Sequence, residues 1–69
     1  MSAPRTLLAL EQALLDFERV AFTFEGPKED NIRRHLAISP TKYYRLLGDL
    51  IDEPGAFAYD PLTVARLRR

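Results

Sequence analysis

Apolar residues recur along the first third of the chain at spacings of three and four residues. These positions are Leu7, Leu10, Leu14, Phe17, Ala21 and Phe24. This spacing is the period of one face of an α-helix, so we expect a long first helix with one buried stripe. Thr6 is suited to be its N-cap, and Gly26-Pro27 ends it because proline has no backbone N–H to donate to the preceding turn.

A second, shorter helix is predicted to begin near Pro27 and to end before Ser39-Pro40. Glu29 and Asp30 fall in its first turn, where negative charge complements the unpaired backbone N–H groups. Ile32 and Leu36 lie four residues apart and give this helix its buried stripe.

Ser39-Pro40 has the form of an N-cap followed by proline at the first helical position, which predicts a third helix. Steps of 100° per residue divide this helix into two sides. The apolar side carries Tyr43, Leu46, Leu47 and Leu50, and the opposite side carries Thr41, Arg45, Gly48 and Asp52. We expect Pro54-Gly55 to close this helix and Asp60-Pro61 to open a short last one.

No segment alternates with the period of a strand, so the pattern predicts an all-α fold. The expected architecture is a small four-helix domain, in which a short C-terminal helix follows a trihelical core. With only 69 residues, we expect a single domain over residues 1–69 with a small core and no large catalytic cleft.

The second and third helices, joined by the segment HLAIS, have the sequence form of a helix-turn-helix. Ile38, just before the cap, is expected to pack on the core. The start of the third helix suits phosphate, because free N–H groups and the positive end of the helix dipole point there. The next exposed side chains lie within reach of base edges in the major groove. We therefore expect the helix that begins at Ser39 to contact duplex DNA.

The candidate contacts divide into two groups. The base-reading candidates are Thr41, Tyr44 and Arg45. The backbone candidates are Ser39, Lys42, Arg33, Arg34, Arg66, Arg68 and Arg69. Arg45 leads the first group because a guanidinium donates two parallel hydrogen bonds to guanine, while the backbone group positions the domain without reading sequence.

Each candidate also has a purely structural interpretation. Thr41 and Lys42 occupy positions where exposed polar residues are ordinary, and Tyr43 shares a face with leucines and is expected in the core. Arg45 can pair with Asp49, four residues later. The C-terminal arginines can simply complement the negative end of their helix.

The net charge is zero, but the charges are unevenly distributed along the chain. Residues 1–30 carry three basic and six acidic residues, for a net charge of −3, and residues 31–69 carry seven basic and four acidic residues, for +3. The basic half suits an anionic partner.

Other function classes receive little support from the composition. No apolar run is long enough to span a membrane or to form a signal peptide, and the chain has no cysteine, so we expect a cytoplasmic protein. His35 is the single histidine and has no cysteine or second histidine with which to share a metal. The expectation is a protein that is not an enzyme and needs no cofactor.

Several segments together resemble a small, uncharacterised actinobacterial family of unknown function, whose members resemble helix-turn-helix regulators and the promoter-reading fourth region of sigma factors. The segments are LLDFER, GPKEDNIRRHLAIS, KYYRLLGDLIDEPGAFAYDP and ARLRR. The resemblance covers about residues 14–69 and implies a bacterial DNA-binding domain whose recognition helix opens with Ser39 to Arg45. Members usually carry glutamine where Arg45 stands, so this chain departs from the family at the leading candidate for base readout and the resemblance implies no shared sequence preference.

These observations predict a small transcriptional regulator whose partner is double-stranded DNA. A module of this size buries little DNA surface, so a homodimer or a larger partner is expected. The first helix can supply the dimer contact, or its stripe can simply cover the core. The alternative function is a protein-interaction module that docks on RNA polymerase, a sigma factor or another regulator, and the zero net charge favours it.

Overall fold

A computed structural model describes residues 5–69 of the chain, and these residues form helices and no strand. The elements are α1 (Ala9–Val20), a 3₁₀ turn (Ala21–Thr23), α2 (Lys28–Leu36), α3 (Pro40–Leu50), α4 (Pro54–Tyr59) and α5 (Pro61–Leu67). The all-α prediction is confirmed. The expected count of four helices is wrong, because the described residues contain five.

The additional helix is α4, which begins where α3 was expected to end. Pro54 occupies its first turn, where the missing N–H of proline needs no partner, and the Glu53 carboxylate accepts a hydrogen bond from the Gly55 N–H at 3.4 Å. Because proline both stops one helix and favours the first turn of the next, Pro54-Gly55 is the start of a helix here. α3 itself ends at Leu50.

The start of α1 also differs from the prediction, since the N-cap is Leu8 and not Thr6. The Glu11 carboxylate takes the place of a capping side chain and accepts a hydrogen bond from the Leu8 N–H at 2.8 Å. Arg5 holds that carboxylate through two hydrogen bonds of 2.8 and 2.7 Å and lies 3.2 Å from a Glu53 carboxylate oxygen. Arg5, shortly before α1, is therefore held by ion pairs with Glu11 and Glu53.

α1 is the central element, because it packs against each of the other four helices, while α2 packs on α3 and α4 on α5. The buried apolar residues are Leu7, Leu14, Leu15, Phe17, Ile32, Tyr43, Leu47, Leu50, Ala56 and Val64. The predicted stripes of the first three helices supply most of this core. The predicted core position of Tyr43 is confirmed, since its side chain is fully buried.

The connection between α2 and α3 is a turn of three residues, Ala37 to Ser39. Ala37 adopts the left-handed conformation with φ 57° and ψ 33°, and its N–H donates to the Arg33 carbonyl at 3.1 Å. Ile38 packs against the core, as predicted. The left-handed residue reverses the chain immediately after α2, so that α3 starts against the helix that precedes it.

Candidate nucleic-acid interface

The opening of α3 has the predicted cap. The Ser39 hydroxyl oxygen accepts a hydrogen bond from the Lys42 N–H at 3.1 Å, and Pro40 occupies the first turn. The same arrangement recurs at α5, where Asp60 accepts from the Thr63 N–H at 3.2 Å and from the Thr63 hydroxyl at 2.7 Å. Burial alone would raise the pKa of Asp60, but these two hydrogen bonds lower it below its ordinary value.

The outward side of α3 carries the base-reading candidates. Thr41, Lys42 and Arg45 are exposed, and Tyr44 is 45% exposed. Within residues 5–69, neither Lys42 nor Arg45 lies within ion-pair distance of a carboxylate, so the proposed pair of Arg45 with Asp49 does not form. The first turns of α3 therefore present two cations whose hydrogen-bonding groups face solvent.

The backbone candidates on α2 are exposed as well, but each has a neighbour on its own helix. Arg33 lies 3.4 Å from an Asp30 carboxylate oxygen, and both side chains are more than half exposed. Arg34 approaches the Asn31 side-chain oxygen at 3.5 Å, the limit of hydrogen-bond distance. Contacts of this kind between exposed groups contribute little free energy, so phosphate can compete with them.

Two of the three C-terminal arginines have intramolecular partners. Arg66 donates to the Glu18 carbonyl oxygen at 2.8 Å, and Arg68 donates to the Ile51 carbonyl oxygen at 2.7 Å while its guanidinium lies over the Phe57 ring. Arg69, the last residue, is exposed. The guanidinium groups of Arg66 and Arg68 are therefore partly occupied within the domain, Arg66 at α1 and Arg68 at the residue that follows α3.

The buried side of α3 is hydrogen-bonded to a buried carboxylate, Glu18, which the sequence patterns did not predict. The Glu18 side chain, on α1, is 6% exposed and accepts a hydrogen bond from the Tyr43 hydroxyl. Lys28 Nζ lies 2.6 Å from one Glu18 carboxylate oxygen, and Arg66 lies 3.8 Å from the other. A buried carboxylate is tolerated only when it is paired and hydrogen-bonded, and this one is. The contacts join α1, α2, α3 and α5.

The Tyr43 hydroxyl acts as a donor in this cluster. Burial, together with the hydrogen bond to the Glu18 carboxylate, raises the pKa of Tyr43 above its ordinary value of 10.0. The hydroxyl therefore stays protonated at neutral pH. The Tyr43 ring also meets the Phe17 ring edge to face, with 5.8 Å between centroids.

One signal in the sequence could have located Glu18 in the core. Leu14 and Ala21 belong to the apolar stripe of the first helix, and Glu18 is four residues after one and three before the other. A carboxylate at a core-facing position of a helix implies a buried partner. The helical pattern does not identify these partners, because Tyr43 and Arg66 are 25 and 48 residues away from Glu18 in the sequence.

The fold and this surface together define a small all-α domain. Its capped helix α3 carries cations on the exposed side, and its buried side is hydrogen-bonded to the Glu18 ion cluster. Residues 6–69 match the model of a family described as a protein of unknown function, DUF3263. The chain belongs to this family. No curated protein and no solved structure matches it. In the part that the structure describes, no helix has both the length and the apolar character that a membrane crossing demands.

Proposed function

We propose that this protein is a helix-turn-helix DNA-binding protein, a small bacterial transcriptional regulator that reads duplex DNA through the helix beginning at Ser39. The observation that carries the proposal is that α3 has one buried apolar side and one exposed cationic side. Tyr43, Leu47 and Leu50 are buried, while Lys42 and Arg45 face solvent without an ion-pair partner among the described residues. An α-helix with one side in the core and a polar, cationic side free is the form that enters a major groove.

The start of α3 supplies the first contact with DNA in this proposal. The Lys42 side chain and the Thr41 N–H bind phosphate, because Pro40 has no N–H and the Lys42 N–H is bonded to Ser39. This contact sets the register of the helix on the duplex. Arg45, one turn further on, donates to a base edge, and Thr41 and Tyr44 add neighbouring base contacts. Asp49 is exposed further along α3, so only the first turns of the helix enter the groove.

The number of phosphate contacts sets the salt dependence of binding. Lys42, Arg33 and Arg34 are the exposed backbone candidates in the α2–α3 pair, whereas Arg66 and Arg68 already have intramolecular partners. Each phosphate contact contributes about −0.9 to the slope of log affinity against log salt. Three contacts predict that affinity falls about 40-fold between roughly 50 and 200 mM salt.

The test is a fluorescence anisotropy titration of a random-sequence duplex at these two salt concentrations. Binding at the lower salt with a slope near −3 is the expected result. Selection of bound sequences from a random pool then gives a motif, whose symmetry reports whether the protein binds as a homodimer. Absence of binding at low salt would refute the proposal.

Arg45→Ala and Lys42→Ala form a matched pair for the base-reading role of Arg45. Both replace an exposed cation of α3 that has no ion-pair partner within the described chain. We expect Arg45→Ala to lower the preference for the selected motif over random duplex by about 1–3 kcal/mol, and Lys42→Ala to weaken both about equally. Equal losses on all sequences for Arg45→Ala would make Arg45 a phosphate contact only.

The second candidate function is a protein-interaction module that docks on RNA polymerase, a sigma factor or another regulator. It is favoured by the zero net charge and by two exposed apolar side chains, Phe22 at 82% and Leu62 at 83% exposure. Large exposed apolar side chains are typical anchors in protein interfaces. Lack of DNA binding at low salt, together with saturable binding to purified RNA polymerase, would support this function in place of the first.

A further inference from the structure

A pocket of about 290 Å³ opens beside the buried Glu18 cluster. It lies where the end of α1, the turn that follows it, the first turn of α2 and the side of α5 come together. Most of the residues that line it are either aromatic or charged. The aromatic ones are Phe17, Phe22 and Phe24, the charged ones are Glu18, Lys28 and Arg66, and the lining also includes Ala21, Gly26 and Asn31. This combination is unlike the apolar core and has the composition of a small-ligand site.

The positive charges among the residues that line the pocket outnumber the negative ones. Glu18 supplies one negative charge, whereas Lys28 and Arg66 supply two positive charges. The Glu18 carboxylate is 6% exposed and already has its hydrogen-bond partners. Lys28 and Arg66 are 39% and 48% exposed, so both side chains stay accessible to a ligand while they contact Glu18. The excess of positive charge among the lining residues favours an anion.

The apolar part of the pocket consists of phenylalanine rings. Phe17 and Phe24 are stacked with 5.7 Å between ring centroids, and the His35 ring is stacked on Phe24 at 4.3 Å, so this aromatic wall offers the pocket only the part of Phe24 that His35 leaves uncovered. Phe22 stands at the opening and is 82% exposed, so its ring has a free face. A planar ring placed against these side chains gains both burial and offset stacking.

We propose that this pocket binds a single-ring aromatic carboxylate, with the ring against Phe22 and Phe24 and the carboxylate between Lys28 and Arg66. The volume of about 290 Å³ lies just below the range of about 300–1,000 Å³ in which proteins hold drug-sized ligands. A ligand of one ring and one carboxylate fits this size. Charge-assisted hydrogen bonds to Lys28 and Arg66 fix its orientation.

The contacts of Lys28 give a ligand at this site a route to α3. Lys28 Nζ lies 5.6 Å from the ring centroid of Tyr43 and 5.8 Å from that of Tyr44, within the range of a cation–π contact. A carboxylate that draws Lys28 toward the pocket changes this contact. The binding itself does not rest on the proposed DNA function, and it is tested without DNA.

The experiment is a titration of the 69-residue chain, labelled with ¹⁵N, with sodium benzoate at constant ionic strength, followed by NMR. We expect saturable shifts at Phe22, Phe24 and Lys28, and smaller shifts at Tyr43 and Tyr44. Two other probes separate the contributions. Benzamide keeps the ring without the charge, cyclohexanecarboxylate keeps the charge without the aromatic ring, and each is expected to bind roughly tenfold more weakly.

Phe22→Ser is the informative variant, and Leu62→Ser is its matched control. Both replace an exposed apolar side chain by serine, and only Phe22 lines the pocket. Because both side chains are exposed, both variants should keep the far-ultraviolet circular dichroism of the parent. We expect Phe22→Ser to weaken benzoate binding roughly tenfold and Leu62→Ser to leave it unchanged. No saturable shift with benzoate, equal affinity for benzamide, or equal effects of the two variants would each overturn the proposal.

Discussion

Removal of the Tyr43 hydroxyl tests whether the buried Glu18 cluster stabilises the domain. In Tyr43→Phe the ring keeps its place in the core and its edge-to-face contact with Phe17, but the donor to the Glu18 carboxylate is lost. Lys28 and Arg66 remain beside that carboxylate. The substitution thus removes one charge-assisted hydrogen bond and creates almost no cavity.

The size of the effect follows from the kind of hydrogen bond. A hydrogen bond to a charged group contributes about 1.5–3 kcal/mol to stability. Because Glu18 keeps Lys28 at 2.6 Å, it is not left unpaired, and we expect a loss of about 2 kcal/mol in the free energy of unfolding. A domain of this size changes its Tm by about 4–8 °C per kcal/mol, so the Tm should fall by about 8–16 °C.

The measurement is urea and thermal unfolding followed by circular dichroism, with Tyr44→Phe as the control. Tyr44 is the next residue on the same helix, but its ring is 45% exposed, and we expect its hydroxyl to contribute less than about 0.5 kcal/mol. The difference between the variants should be largest below pH 10. Because the pKa of Tyr43 is raised in the fold above its ordinary 10.0, its contribution decreases as the pH rises beyond that value.

Equal stability losses in the two variants would refute this account. In that case the Tyr43 hydroxyl would contribute no more than an exposed one, and the Glu18 carboxylate would be satisfied by Lys28 and Arg66 alone. α3 would then be held by its apolar side chains only.

Three further predictions concern the Arg5–Glu11 ion pair and two glycines. Arg5 lowers the pKa of Glu11 to about 2 from 4.5, so the stability that this pair contributes is present above pH 4.5 and is lost as the pH falls toward 2. In Glu11→Gln, the free energy of unfolding measured with urea should therefore fall less steeply between these pH values. The same pH dependence in the variant and the parent would count against the pair. Gly48→Ala, on an exposed helix position with open space around it, should raise the free energy of unfolding by about 0.5–1 kcal/mol. Gly55→Ala should lower the free energy of unfolding by about 1–3 kcal/mol, because the new Cβ would clash with the Arg5 carbonyl oxygen. Unfolding curves of the two glycine variants that do not shift in opposite directions would contradict this.

The elements that the sequence predicts correctly are those decided by neighbouring residues. Ser39 and Asp60 cap their helices because each side chain needs only a backbone N–H three residues later. The stripe of α3 follows from helical spacing in the same way. Local chemistry therefore located the end of α2, the start of α3 and the exposed side on which the candidate contacts lie, but not the end of α3.

The predictions that fail depend on contacts between distant parts of the chain. Thr6 is a good cap by residue type, but α1 starts later because Arg5 is held by Glu11 and, across the fold, by Glu53. Pro54 was ambiguous, since proline ends one helix and opens another with equal ease. The partners of Glu18 could not be identified before α2, α3 and α5 were placed around α1.

The ion pairs explain how a chain of zero net charge can present a cationic helix. Half of the acidic residues of the N-terminal half lie on α1, where Glu18 is paired by Lys28 and Arg66 and Glu11 by Arg5. Arg66 comes from the basic half, but it is drawn to α1. The exposed cations of α3 keep no such partner within residues 5–69. Neutrality of the whole chain therefore says little about the charge of this surface, which is set by where the carboxylates are placed.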